Sequence, residues 1–252
     1  MDLNLKNKKV LVTGSSQGIG LEIVKKFSEQ GSSVIANSRS KESYSDTLNN
    51  LKNCHYIAAD VTKPEQAKYL IDKAIELMNG LDILVCNVGS GSSVSPGNET
   101  FEEWQKVFLK NFFSTTNCVE SAKNYLAKSN GSVVCISSIC GSQVIEGAPI
   151  TYSVAKSSLN SYVKSISKPL SKDGIRINAI SPGNIIFKGS AWETKLNNNP
   201  DSVKSMLKAN VPMNRFGTSA EIADLVLYLS SGLSGFVTGS VWDIDGGQLN
   251  NI

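Results

Sequence analysis

Tyr152-Ser-Val-Ala-Lys156 sets a tyrosine and a lysine at i and i+4, one above the other on a single helical face. A free tyrosine, with a pKa of about 10, is a poor acid or base at neutral pH. A fixed ammonium beside it favours the phenolate, lowers that value and makes the hydroxyl a usable proton relay. A second chemical signal is Thr13-Gly-Ser-Ser-Gln-Gly-Ile-Gly20, which follows an apolar run and opens an amphipathic one. Gly14, Gly18 and Gly20 allow a tight turn, close approach of backbone to a pyrophosphate and packing of helix on strand. The helix that follows aims free N–H groups and the positive end of its dipole at the anion. The sole histidine, His55, has no motif around it, which argues against a Ser-His-Asp triad and excludes an H-E-x-x-H zinc site.

The elements that must position these groups alternate along the chain. Strand-like runs fall at Lys9–Thr13, Ser33–Asn37, His55–Ala58, Ile83–Cys86, Ser132–Ile136, Arg176–Ile180 and Phe236–Ile244. Helical patterns fall at Ile19–Gln30, Glu42–Leu51, Pro64–Met78, Phe101–Lys128, Tyr152–Lys172 and Ser219–Ser231. Such alternation predicts an α/β fold: one Rossmann-like domain over residues 1–252, with a doubly wound, parallel, seven-stranded sheet covered by helices on both faces. Two segments break the rhythm. Ser90–Glu99 is small, polar and contains Pro96, and reads as a mobile loop. Asn184–Pro212 is long, with one short helix expected near Asp201–Ala209. Both follow strands at the carboxyl end of the sheet, where ligands of such folds bind, so both are candidates for the substrate rim.

Composition narrows the classes. In 252 residues, 25 Lys and Arg against 22 Asp and Glu leave a formal charge of +3, spread without blocks, which gives no nucleic-acid or anionic-membrane surface. No apolar run approaches the roughly 20 residues of a membrane span, and Met1–Thr13 lacks a signal-peptide core. Cys54, Cys86, Cys118, Cys135 and Cys140 form no C-x-x-C pair, which fits reduced thiols in the cytoplasm; no metal site is expected.

With Thr13 ahead of a G-x-x-x-G-x-G loop, and Ser138 fourteen residues before Tyr152, the chain resembles the classical short-chain dehydrogenase/reductase family over nearly its whole length. The resemblance implies that Tyr152 protonates a ketone oxygen while a nicotinamide cofactor delivers hydride to carbon, or takes the alcohol proton in reverse. It further implies that Ser138 hydrogen-bonds the reacting oxygen. Lys156 would grip the nicotinamide ribose and tune Tyr152, and Asn111 would hold a water in the proton relay. Implied cofactor contacts are Gly14, Ser15, Ser16, Gln17, Gly18, Ile19 and Gly20 in the loop, and Ser38 and Arg39 after the second strand. Asp60 and Val61 follow after the third, then Asn87, Gly89, Tyr152, Lys156, Pro182, Gly183 and the backbone N–H of Ile185. Asp60 could equally cap the helix that begins near Lys63-Pro64. Ser38 stands where NAD-preferring members carry an acid, so no carboxylate repels a 2′-phosphate, and Arg39 offers it a planar cation. NADP(H) is therefore expected over NAD(H), which is not excluded.

Two departures stand out. Cys86-Asn-Val-Gly89 replaces Asn-Asn-Ala-Gly, and Phe187 replaces the usual threonine after Pro182-Gly183, losing a hydroxyl and adding bulk expected at the substrate edge. Asn214-Arg-Phe-Gly217 and Asp243-Ile-Asp-Gly-Gly247 resemble the tails of 3-oxoacyl-carrier-protein reductases, which makes a 3-oxoacyl thioester one expected substrate. Those enzymes dock an acidic carrier through basic residues where this chain has Ser129 and Asp173, flanked by Lys128 and Lys172. Ser90, Gln143, Asn184 and Trp192, expected near the pocket, suit instead a sugar or activated-sugar substrate. A non-catalytic NADP(H)-sensing module is the alternative of a different class. The resemblance also implies a homotetramer or homodimer built on Phe101–Lys128 and Tyr152–Lys172.

Overall fold

A computed structural model describes residues 2–40 and 46–250. Its frame is a seven-stranded parallel sheet in the order β3-β2-β1-β4-β5-β6-β9. The strands are β1 (Lys9–Val12), β2 (Ser33–Ser38), β3 (Cys54–Ala58), β4 (Ile83–Cys86), β5 (Ser132–Ile136), β6 (Arg176–Pro182) and β9 (Val241–Ile244). The order reverses between β1 and β4, and the crevice at that switch point is where a doubly wound sheet takes its ligand. Strands β1, β4 and β5 are buried almost throughout because helices cover both faces.

One face packs α3 (Pro64–Met78), α5 (Ser114–Ala127) and α6 (Ile150–Lys172) over Leu11, Leu84, Val133 and Ile177. The other packs α1 (Gly18–Glu29) and α9 (Ser219–Ser230) over Val10, Val12, Val85 and Ile180. Phe27, fully buried there, contributes about 2–3 kcal/mol by leaving water. A third, smaller cluster of Val203, Leu207 and Val211 lies apart from the sheet.

Several boundaries differ from the sequence expectation. The last strand begins at Val241 rather than Phe236, whose side chain is fully exposed; Gly239, at φ +69°, turns the chain immediately before the strand. The long helix over Phe101–Lys128 is three pieces: α4 (Phe101–Phe108), a π-helical turn at Leu109–Phe113, and α5. Of the helix expected over Glu42–Leu51, α2 covers Asp46–Asn49, and residues 42–45 lie outside the described residues. The Asn184–Pro212 segment holds more order than expected. A short ladder joins β7 (Ile185–Ile186) to β8 (Gly217–Thr218), and α7 (Ala191–Asn198) and α8 (Pro200–Asn210) lie between them. Ser190 and Asn199 cap these helices through their side chains, and Pro200 starts α8. No helix among the described residues is long and apolar enough to cross a membrane, and no group of His, Cys, Asp and Glu could hold a metal ion.

Candidate active site

The glycine loop leaves β1 with Gly14 and Gly18 at positive φ, +61° and +59°. A Cβ on Gly20 would meet Asn87 Nδ2 at 2.5 Å and the Gly14 carbonyl at 2.6 Å, so only glycine fits where α1 turns against the loop. The loop is braced from both sides. Ser15 Oγ, fully buried, donates to the Val12 carbonyl at 2.8 Å and accepts from Asn37 N at 2.9 Å. Asn87 Nδ2 donates to the Gly14 carbonyl at 2.8 Å, and its N–H donates to Thr13 Oγ1. Ser15 and Asn87 thus shape the cradle with side chains already committed to protein partners. Ser16 and Gln17 sit at the crest, and the N–H groups of Gly18 and Ile19 open α1. These residues fit a dinucleotide in one respect, backbone donors at a helix N-terminus, while the missing side chains at Gly18 and Gly20 leave room for the Phe187 ring and for Asn87 and the Gly14 carbonyl.

Past β2, Ser38 Oγ shares a 2.5 Å hydrogen bond with Tyr56 Oη, and Arg39 is exposed with no carboxylate paired to it among the described residues. Among the described residues no acid stands at this strand end. Asp60 does not cap α3: the N-cap is Lys63, which makes no side-chain cap bond, and Asp60 Oδ1 accepts from Thr62 N and Oγ1 at 3.1 and 2.7 Å. The short Asx turn it forms ends too early to reach the helix. Val61 is buried in the core, and its carbonyl accepts from Asn117 Nδ2.

The reacting groups come from two places in the chain. Tyr152 and Lys156 stand one turn apart near the start of α6, and Ser138 follows β5. A Cβ on Gly141 would lie 2.6 Å from the Lys156 carbonyl carbon, so this glycine lets the Ser138 segment press onto α6. Removal from water pushes the Tyr152 pKa up to about 12, against a smaller lowering from the Ser138 hydroxyl, whose Oγ accepts from Cys140 N at 3.2 Å. Lys156, 2 % exposed, donates from Nζ to the Ile136 carbonyl at 2.8 Å, and burial pulls its pKa down to about 8. Its ammonium lies 5.9 Å from the centre of the Tyr152 ring. The expected lowering of the tyrosine by the lysine is therefore not present in the chain alone. Lys156 is turned to a backbone carbonyl, and desolvation dominates both groups.

Asn111, 1 % exposed, sits within the π-helical turn, where the wider spacing breaks the regular i→i−4 ladder. Its Oδ1 accepts from Ser90 N at 2.9 Å, and its Nδ2 donates to the Ser90 and Val107 carbonyls. Gly89 lies beside both groups: a Cβ there would be 3.0 Å from Asn111 Oδ1 and 3.1 Å from Lys156 Nζ. Pro182 ends β6, and Gly183 donates to the Ile244 carbonyl so close to Asp245 that a Cβ would meet its Cα at 2.8 Å. Ile185, in β7, is buried. Phe187 does not lie at an open substrate edge: its ring packs onto Gly18, 2.6 Å from where a Cβ would stand.

Sequence reasoning missed three supporting residues. Ser137 Oγ donates to Asn160 Oδ1 at 2.6 Å, which ties the end of β5 to α6 one turn beyond Lys156. Glu221, its pKa held down near 2 by Arg215 and the Thr218 cap, locks the Asn214–Gly217 segment to α9. Thr151, fully buried, carries a side-chain contact into the Ser90–Glu99 loop. The T-x-x-E capping box over Thr218–Glu221 was the one readable signal among them.

The cradle at the switch point and the serine, tyrosine and lysine beside it define an oxidoreductase of the short-chain dehydrogenase/reductase class. Residues 14–248 match the family model described as enoyl-(acyl carrier protein) reductase, and the chain belongs to this short-chain dehydrogenase/reductase family. Glucose 1-dehydrogenase 2 of Bacillus subtilis is 32% identical over 97% of this chain and 96% of its own. The 3-oxoacyl-[acyl-carrier-protein] reductase of Thermotoga maritima is 30% identical over 97% and 99%. The crystal structure of L-sorbose reductase from Gluconobacter frateurii with NADPH and L-sorbose is similar at a TM-score of 0.92 and 27% identity, covering both chains fully.

Proposed function

We propose that the protein is an NADP(H)-dependent oxidoreductase that interconverts a ketone and a secondary alcohol, with Tyr152 as proton donor and acceptor. The observation that carries this reading is the half-buried Tyr152 one turn from the buried Lys156 on α6, with the buried Ser138 segment pressed onto that helix, beside an intact glycine cradle. When bound, the cofactor supplies the hydride. Ser138 Oγ is aimed to donate to the substrate oxygen, and Tyr152 Oη passes its proton to that oxygen as charge develops there. A ribose hydroxyl near Lys156 would give its ammonium a second partner besides the Ile136 carbonyl, and Asn111 and Ser90 wall the proton path. Ser38 in place of an acid at the end of β2, with Arg39 exposed beside it, supports NADP(H) over NAD(H). A sensing module would have no use for the reacting set beside its cradle.

For the substrate, polar side chains near the carboxyl end of the sheet favour a small hydroxylated ketone such as a keto-sugar or activated sugar. Asn184 Nδ2 donates to Gln248 Oε1 at 3.0 Å, Gln143 Oε1 accepts from Asn250 N, and Ser92 N donates to Ser90 Oγ. The carrier-docking position is not basic: Ser129 Oγ is turned to the Leu81 carbonyl, and Asp173 is exposed. L-Sorbose reductase and glucose 1-dehydrogenase 2 among the similar proteins agree with that choice, while the 3-oxoacyl reductase keeps the thioester as competitor. Initial rates of NADPH oxidation against a panel of ketoses, oxidised nucleotide sugars and an acetoacetyl thioester decide it: a ketose or sugar substrate supports the reading, and a preference for the thioester overturns it. Exposed Leu109, Phe113, Ile150 and Val154 on the π-helical turn and the first turns of α6 would pair two copies, which sedimentation would report as a dimer or tetramer.

A further inference from the structure

The Ser90–Glu99 segment has no regular structure, yet it is tied down on both sides of the catalytic tyrosine. At one end, Ser90 exchanges two hydrogen bonds with the Asn111 side chain, at 2.9 and 3.2 Å. At the other, Ser93 Oγ lies 2.9 Å from Glu103 Oε1 and 2.7 Å from Thr151 Oγ1. Between the two ties, Gly91 faces the tyrosine ring with room for one added carbon: a Cβ on it would stand 3.8 Å from Tyr152 Cε1.

The chemistry of the three groups fixes the direction of the bonds. Glu103 is held ionised, its pKa lowered first by Ser93 and then by Lys106, whose Nζ is 3.1 Å away. An ionised carboxylate only accepts, so the single Ser93 hydroxyl proton goes to Glu103, and the Thr151 hydroxyl donates to Ser93. Thr151 immediately precedes Tyr152 and is fully buried; the Glu103 side chain is 12% exposed. The hydroxyl of Ser93 therefore joins the loop to α4 and to the first turn of α6 in one directed chain.

We propose that Ser93 is a positioning residue for Tyr152: through Glu103 and Thr151 it clamps the Ser90–Ser93 backbone across the tyrosine ring and so fixes the phenol against the reacting oxygen. The inference rests on Tyr152 being the proton donor. Small misplacements of a reacting group cost rate rather than binding, since they act on geometry reached in the transition state. Ser93→Ala should lower kcat about tenfold with KM within about twofold, and NADP+ affinity, measured by calorimetry, should not move. Thr151→Val, near-isosteric and unable to donate, should act the same way. The double variant should then be no worse than either single one, because both break one chain. Ser93→Thr keeps the hydroxyl and should restore kcat.

A second readout does not depend on turnover. Hydrogen exchange of the Ser90 amide, which donates to Asn111, should speed up about tenfold in Ser93→Ala, with exchange in the core strands unchanged. The proposal is overturned if kcat and Ser90 exchange in Ser93→Ala equal those of the wild type, or if the losses in the double variant add. If wild-type protein reduces no ketone while Ser90 exchange still responds to Ser93→Ala, the clamp stands and the catalytic reading is what has failed.

Discussion

The glycine cradle and the segment of α7 and α8, here called the cap, are held together by different means, with Phe187 just ahead of α7 packed on Gly18. In the cradle every turn is locked: Ser15 to Val12 and Asn37, Asn87 to Thr13 and Gly14, and Gly20 pressed where no side chain fits. The cap has its own small core of Val203, Leu207 and Val211, and α7 buries no residue. Beyond that core, Trp192 packs against Phe216 at 5.4 Å and Asn184 Nδ2 donates to Met206 Sδ at 3.8 Å, while Lys195 covers the indole within α7 itself. A part that receives a constant ligand can be rigid, whereas a part that admits a substrate opens at low cost. Under the proposed function, the first would bind the cofactor and the second would choose the substrate.

The strongest way to break that contrast is inside the cradle. Gly20→Val places carbons within 2.5–2.8 Å of Asn87, Gly14 and Ser15, and should destabilise the fold by about 3 kcal/mol or more, seen as a fall in soluble yield and melting temperature. Next in size, Arg39→Ser removes the planar cation beside Ser38. NADPH affinity should fall about tenfold to a hundredfold, while NADH affinity, read by the same fluorescence titration, stays level. Smaller still, Leu207→Ala in the cap should raise KM for the substrate severalfold, with little change in melting temperature or NADPH affinity, because its cluster is separate from the sheet cores.

The smallest effect sharpens the account of the lysine. Lys156 has a folded pKa of about 8 against an ordinary 10.5, so between those values the unfolded chain carries the proton that the folded one has lost. Stability therefore rises with pH across that window. At pH 7 the buried charge is a penalty, and Lys156→Met should melt higher than wild type, with the gap narrowing as pH climbs from 8 to 10.5. A gap that widens over the same range would contradict the placement of Nζ against the Ile136 carbonyl.

The cradle was legible in the sequence because glycine, threonine and strand-to-helix order report backbone needs directly. Tyr152 and Lys156 were legible because helical spacing alone puts them on one face. What stayed hidden depends on contacts between distant parts. The π-helical turn around Asn111 has no composition of its own, so Phe101–Lys128 reads as one helix. The cap helices read as loop because a polar, weakly apolar stretch looks alike whether or not Ser190 and Asn199 cap it. Phe187 shows the same limit. Its bulk was visible, but its packing on Gly18 follows from where β7 lands. For Lys156, spacing shows which groups are near and not which partner the ammonium takes, here the Ile136 carbonyl.

The most direct test of the central claim is a paired measurement on Tyr152→Phe: NADPH binding by calorimetry, and steady-state NADPH oxidation with the best substrate of the ketone panel. Binding should match wild type, since the change removes one hydroxyl, while kcat should fall by about a thousandfold or more with the loss of the proton donor. Turnover within tenfold of wild type at equal NADPH affinity would contradict the account.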